Sequence, residues 1–180
     1  MSRAQGRASA AQDVATVGLM VAVIEACKLV MQGLPNIEMT SFLIILFTLR
    51  YPRLTWYAIP VFTLIEGMLY GFGLWWVMYL YAWPLLALFV RAFSRVDSAF
   101  FWAMVSGVFG LIFGLLCAVP YFFVGLLGGG FMQGLTQMLA WWVAGIPFDL
   151  VHGVSNFVIM LALYRPVSSL LARMPQIVRS

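Results

Sequence analysis

Charged residues are scarce in this chain: only 9% of its 180 residues are Asp, Glu, Lys or Arg, whereas 64% are hydrophobic. A soluble globular domain has about a quarter of its residues charged, so this chain lacks the polar groups needed to cover a surface in water. The composition therefore excludes a soluble domain, a disordered protein and a nucleic-acid-binding protein. It predicts an integral membrane protein.

Cysteine is also scarce, and the common nucleotide and metal motifs are missing. The two cysteines lie in apolar runs and give neither a disulfide framework nor a zinc spacing. The sequence has no G-x-x-x-x-G-K-[ST] phosphate loop, no H-E-x-x-H and no G-x-S-x-G. We therefore expect no enzyme, no cofactor and no bound metal, and any active transport must take its energy from a partner protein or an ion gradient.

Long apolar segments predict an all-α membrane bundle. Residues 41–49 and 100–113 are apolar on every side, which favours helices over the alternating pattern of a β-barrel. At about 20 residues per span, the chain has room for about six transmembrane helices. The predicted helices cover residues 13–33, 38–50, 55–73, 75–93, 98–119 and 148–163. Residues 1–12 and 166–180 are expected to be cytoplasmic tails of one membrane domain, residues 13–165.

The segment before the last helix has its own pattern. Residues 125–134 are rich in glycine and predict a flexible connection. Residues 135–144 predict a short helix that ends at Gly145-Ile-Pro147 and forms an external cap or a re-entrant helix.

The placement of arginine predicts the orientation. With six crossings and both termini in the cytoplasm, the four cytoplasmic segments hold every arginine and the three external loops hold none. This is the positive-inside pattern. The arginines are Arg3, Arg7, Arg50, Arg53, Arg91, Arg95, Arg165, Arg173 and Arg179.

The other ionisable groups gather toward the external side. A charge at the bilayer centre costs at least about 2.5 kcal/mol, so such groups commonly mark a pathway or a site. Helical spacing predicts that polar and aromatic side chains converge on one externally open cavity that binds substrate. The predicted substrate-binding residues are Glu25, Lys28, Asn36, Glu38, Glu66, Tyr70, Trp75, Trp76, Tyr79, Trp142, Asp149, His152 and Asn156. Taken singly, each polar residue can also be structural, and the tryptophans can form an interfacial belt. Four acids against one lysine favour a ligand with cationic or donor-rich groups.

Small residues form smooth strips on two helices. Ala15, Gly18, Ala22 and Ala26 make such a strip on the first helix, and small-xxx-small spacing lets another helix approach closely. This strip predicts either a partner-binding face or a packing face within the bundle. The similar strip on the fifth helix favours packing within the bundle; it consists of Ala103, Gly107, Gly110, Gly114 and Ala118.

Several stretches resemble the substrate-binding S components of energy-coupling factor (ECF) transporters, which are small six-helix bacterial membrane proteins. These stretches are Ala22-Val-Ile-Glu-Ala26, Leu34-Pro-Asn-Ile-Glu38, the aromatic run from Gly71 to Pro84, and the run from Trp141 to Gly153. The resemblance implies a subunit of the bacterial cytoplasmic membrane that captures a vitamin or a similar small heterocyclic micronutrient from outside. It also implies that Ala22 and Ala26 contact a transmembrane T subunit, whose module contains two ATPases.

Two other functions remain open from the sequence. A stand-alone secondary transporter would be expected to show inverted repeats and broken helices, and the chain has no evident internal repeat. An intramembrane enzyme could use His152 with Asp149 or Glu66 as acid and base, although no nucleophile or metal-ligand set accompanies the histidine.

Overall fold

The computed structural model of the protein describes residues 3–173, with side chains from residue 10 onward. All regular secondary structure in this part is helical, which confirms the all-α prediction. The six helices are α1 (Arg3–Met31), α2 (Thr40–Arg50), α3 (Pro52–Tyr70), α4 (Leu74–Ala92), α5 (Ala99–Gly129) and α6 (Phe131–Arg173).

Four of these helices are long and apolar enough to cross a membrane, as expected for a membrane protein. They comprise Ala10–Met31 of α1 and the whole of α4, α5 and α6. Helix α2 is apolar but has only 11 residues. At 1.5 Å per residue, α5 is about 46 Å long and α6 about 64 Å, whereas the hydrocarbon core of a bilayer is about 30 Å thick.

The short helix α2 is the centre of the bundle. Its residues from Thr40 to Thr48 are all buried, and it contacts each of the other five helices. The sequence explains this position because Phe42 to Phe47 is apolar on every side, and a helix of that kind must be covered by protein or lipid. The other five helices are packed around it.

The glycines between the last two helices serve close packing. The flexible connection predicted for residues 125–134 is wrong, because α5 continues to Gly129 and α6 begins at Phe131. Only Gly130, with φ of 86°, leaves the helical conformation. A Cβ atom on Gly125 would lie 2.7 Å from the Cα of Gly134, so these glycines allow the two helices to approach each other.

The short helix predicted for residues 135–144 is not a separate element. It belongs to α6, which continues through Gly145 and Pro147 without a break. Pro147 cannot donate the backbone hydrogen bond of its turn, and α6 packs against α5 in the structure.

Helices also extend into both predicted tails. Helix α1 begins at Arg3, in a segment rich in alanine, the strongest helix former. Helix α6 continues past Pro166 to Arg173, while Arg179 lies outside the described residues.

Candidate functional site

A cavity of about 420 Å³ lies at one end of the bundle. It lies where α1 and α3 end and where α2 and α4 begin, and side chains of α5 and α6 complete its wall. Its lining residues are Lys28, Met31, Gln32, Leu34, Pro35, Asn36, Ile37, Glu38, Glu66, Tyr70, Trp75, Tyr79, Phe113 and His152.

The floor of the cavity is built on an ion pair between α1 and α3. The Lys28 Nζ atom donates to Glu66 Oε2 over 2.5 Å and to the Tyr79 hydroxyl over 3.3 Å. It also lies 5.4 Å from the ring centroid of Phe62 and 5.3 Å from that of Tyr79. These contacts hold three helices together at the floor of the cavity.

The Glu25 side chain stands next to this ion pair. It lies one turn before Lys28 on α1, and its carboxyl group interacts with that of Glu66. Glu25 Oε1 and Glu66 Oε1 are both buried, and apart from each other's carboxyl group neither has a hydrogen-bond partner within the described part of the chain. Two carboxyl groups are therefore brought together with only one cation beside them.

His152 and Glu38 form another part of the cavity lining. His152 Nε2 lies 3.1 Å from Glu38 Oε1, and its ring packs edge-on against Phe113 at a centroid distance of 4.8 Å. Glu38 also accepts hydrogen bonds from the Thr40 amide and the Ser41 hydroxyl. The Glu38 carboxylate thus satisfies donors at the start of α2 while it faces the cavity.

The hydrogen bonds to Glu38 favour its charged form. Burial by itself would raise the pKa of this carboxyl group, but the hydrogen bond to His152, the charge of His152 and the hydrogen bond from Thr40 outweigh it. The pKa of Glu38 therefore lies below its ordinary value of 4.5.

Aromatic side chains form the rim. Trp75 is half-buried and packs edge-on against Tyr79 with their centroids 5.4 Å apart. Tyr70, at the end of α3, is 51% exposed. Gly71, with φ of 89°, ends α3 and lets the chain turn into α4.

Eight of the thirteen residues predicted to bind substrate line the cavity together. They are Lys28, Asn36, Glu38, Glu66, Tyr70, Trp75, Tyr79 and His152. The structure thus brings them to one place, and their role in binding stays a prediction.

The other five predicted residues do not line it. Glu25 lies behind Glu66, and Trp76 donates instead to the Thr63 carbonyl over 2.7 Å. Asp149 accepts from the Gly114 amide over 2.8 Å, and Asn156 donates to the Ser106 carbonyl over 3.4 Å, both in the contact between α5 and α6. Trp142 lies on α6, ten residues before His152, and is also outside the lining.

Six lining residues are not among the thirteen predicted to bind substrate: Met31, Gln32, Leu34, Pro35, Ile37 and Phe113. Helical spacing already places Gln32 on the polar face of Glu25 and Lys28. The first five lie at the end of α1 or in the loop that carries Asn36 and Glu38. Because they are neighbours of those two residues in the sequence, they could have been predicted to line the same cavity. Phe113 lies in an apolar run, and nothing in the sequence indicates that it lines the cavity.

The arginines whose side chains the structure describes lie away from this cavity. Arg50, at the far end of α2, donates to the Leu171 carbonyl over 3.1 Å, and Arg165 lies 3.0 Å from Asp97 in the loop between α4 and α5. Arg53 and Arg91 occupy the far ends of α3 and α4. The lysine and acids of the cavity and the arginines therefore mark opposite ends of the bundle.

The small-residue strips have different environments. Ala15, Gly18, Ala22 and Ala26 are all exposed on α1, and nothing lies within 4 Å of the Cβ position of Gly18. Within residues 10–173 this strip therefore has no packing partner. The strip on α5 is buried against α6, because a Cβ atom on Gly110 would lie 2.8 Å from the backbone of Gly153.

The structure does not join the predicted acid–base pairs of His152 with Asp149 or Glu66 by hydrogen bonds. His152 is hydrogen-bonded to Glu38, whereas Glu66 is paired with Lys28 and Asp149 with the Gly114 amide. Within residues 10–173 no group of three His, Cys, Asp or Glu side chains is arranged to hold a metal ion.

Comparison of the chain with protein-family models, with curated proteins and with solved structures found no match.

Proposed function

We propose that the protein is the substrate-binding membrane subunit of an ATP-driven importer of the ECF type. In this role it crosses the bacterial cytoplasmic membrane six times with both termini inside, and it captures a vitamin or a similar small heterocyclic molecule from outside. The observation that carries the proposal is the cavity, which is lined by polar side chains at the end of the bundle opposite the arginines.

The orientation is supported by the separation of charges. Arginine-rich ends of membrane helices stay in the cytoplasm, so the cavity opens to the outside in this arrangement. The volume of about 420 Å³ falls within the range of about 300 to 1,000 Å³ that is usual for small-molecule sites. Carboxylates, an amine and an imidazole among aromatic rings suit a polar heterocyclic ligand.

The exposed face of α1 supports an association with another membrane subunit. Ala22 and Ala26 leave a shallow, smooth surface on a helix that is otherwise flanked by large exposed side chains, such as Leu29 and Val30. In a membrane, small residues of this kind permit close approach of a second helix. We assign this face to the transmembrane T subunit, whose two ATPase partners supply the energy.

The test of the proposal is association with an energy-coupling module. The full chain is co-expressed with a T subunit and its two ATPases, and the complex is purified through the T subunit. Ala22→Arg is expected to abolish co-purification of this chain while the chain itself stays monodisperse.

Leu88→Arg is the matched control, because Leu88 is 53% exposed on α4, away from the α1 strip. It should leave the complex intact. A complex that survives Ala22→Arg, or that is lost equally in both variants, contradicts the assignment of the α1 face.

A further inference from the structure

The cavity has more acidic groups than cationic ones. Glu38 and Glu66 line it, and Glu25 lies directly behind Glu66. Against these three carboxyl groups stand one ammonium group, on Lys28, and one imidazole, on His152. The described surroundings of the cavity therefore have an excess of acidic groups over cationic ones.

The Lys28 ammonium group is engaged by the protein. Its donors go to Glu66 Oε2 and to the Tyr79 hydroxyl, and the rings of Phe62 and Tyr79 flank it. It therefore offers little to an anionic ligand. His152 is likewise occupied, because its Nε2 atom faces Glu38 Oε1.

Two carboxyl groups share one cation. Glu66 is 2% exposed, and apart from the neighbouring Glu25 carboxyl group no donor within the described residues reaches its Oε1 atom; Glu25 Oε1 likewise has no donor other than Glu66. A buried carboxylate oxygen without a donor is costly, and among the described residues Lys28 is the cation beside both groups. The Lys28 side chain is 20% exposed, so the ion pair can be reached from the cavity.

Aromatic side chains also line the cavity, next to its acidic groups. Trp75 and Tyr79 line the cavity and pack edge-on against each other, and Tyr70 adds a third ring at the rim. Aromatic faces attract cations as well as flat rings. The rings and the carboxylates therefore favour the same kind of ligand.

We propose that the cavity binds a small organic cation that carries an aromatic ring. Its protonated amine, amidinium or cationic ring nitrogen lies toward Glu66, which lines the cavity, and its ring lies against Trp75. Glu25 does not touch the ligand and acts through its charge, from its place next to Glu66. The inference rests on the proposed function in one respect only, namely that the cavity is the place where a small molecule is captured.

Three probes of similar shape and different charge test this ligand class. The full chain in lipid nanodiscs is titrated with benzylamine, benzyl alcohol and benzoate, and the apparent affinity is taken from the rise of the thermal unfolding midpoint with ligand concentration. Benzylamine is expected to bind about tenfold more tightly than the other two, because a hydrogen bond to a charged group is stronger than a neutral one. Equal or tighter binding of benzoate or benzyl alcohol, or no response to benzylamine, overturns the proposal.

Isosteric variants locate the preference. Glu66→Gln and Glu25→Gln should each reduce the preference for benzylamine. Glu25→Gln leaves the Lys28–Glu66 ion pair intact, so it tests the proposal even if Glu66→Gln folds poorly. Asp97→Asn removes an exposed acid at the opposite end of the bundle and should leave the preference unchanged. A preference that persists in Glu25→Gln and in every folded Glu66 variant places the cation elsewhere and overturns the proposal.

The proposed ligand class and the proposed importer role can be contradicted independently of each other. A chain that prefers benzylamine but associates with no T subunit keeps the ligand class and loses the importer role. A chain that joins the module but prefers benzoate keeps the importer role and loses the ligand class.

Discussion

The Lys28 ammonium group on α1 lies 2.5 Å from the Glu66 carboxylate on α3, and Glu66 is 2% exposed. This pair joins two helices at the floor of the cavity. Removal of one partner from a buried ion pair leaves an uncompensated charge, at a cost of about 3 kcal/mol or more, whereas replacement of both can be nearly neutral.

Lys28→Met is therefore expected to lower the thermal unfolding midpoint strongly, and the double variant Lys28→Met, Glu66→Gln should recover part of that loss. The measurement is thermal unfolding of both variants and of the wild type in the same detergent. A double variant less stable than Lys28→Met alone would show that the pair is not the source of the effect.

Gly110→Ala should destabilise the contact between α5 and α6. The new Cβ atom would meet the backbone of Gly153 at 2.8 Å, and backbone cannot move aside as a side chain can, so we expect a loss of about 1 to 3 kcal/mol. Gly18→Ala is the control, since nothing lies within 4 Å of its Cβ position and alanine favours the helix. The same thermal assay should show Gly18→Ala unchanged or more stable. Equal behaviour of the two variants would contradict the close approach of α5 and α6.

Acid should weaken the protein partly through Glu38. Because the pKa of this carboxyl group is held below its ordinary value of 4.5, the charged form stabilises the fold at a pH above 4.5. That contribution is lost as the pH falls through the lowered pKa. The difference in unfolding midpoint between the wild type and Glu38→Gln should therefore shrink on acidification. A difference that stays constant from pH 7 down to about pH 3 would contradict a stabilising role for the Glu38 carboxylate.

The orientation in the membrane can be tested by cysteine labelling in a background with Cys27→Ser and Cys117→Ser. Gly33 and Ser94 are both exposed, Gly33 near the cavity and Ser94 in the loop at the arginine-rich end. Gly33→Cys should react with a membrane-impermeant maleimide in intact cells, and Ser94→Cys only after permeabilisation. The reverse pattern would place the cavity on the cytoplasmic side.

The all-α architecture and the gathering of eight predicted residues around one cavity could be inferred from the sequence, while their role in binding substrate stays a prediction. Charges are so scarce here that each polar residue within an apolar run carries information, and a helical period tells which of them share a face. Lys28, Glu66 and His152 were found in this way, and the structure brings them to one cavity.

The errors have a common physical origin. Helical spacing predicts which residues of one helix share a face. It does not predict how the helix is rotated against its neighbours or which residues cover that face. Asp149 shares a face with His152, yet its carboxylate meets the Gly114 amide. The glycines of residues 125–134 suggested flexibility because a glycine that permits close packing has the same sequence signal as one that permits a turn. Only Gly130 makes the turn.

The proposed function requires that the cavity captures a small molecule from outside, and native mass spectrometry of the gently purified full chain can detect that molecule. We predict a species with one small molecule bound per chain, retained by Asp97→Asn and lost in Glu66→Gln. A bare chain in every preparation, or an adduct that Glu66→Gln retains as fully as the wild type does, would contradict the account.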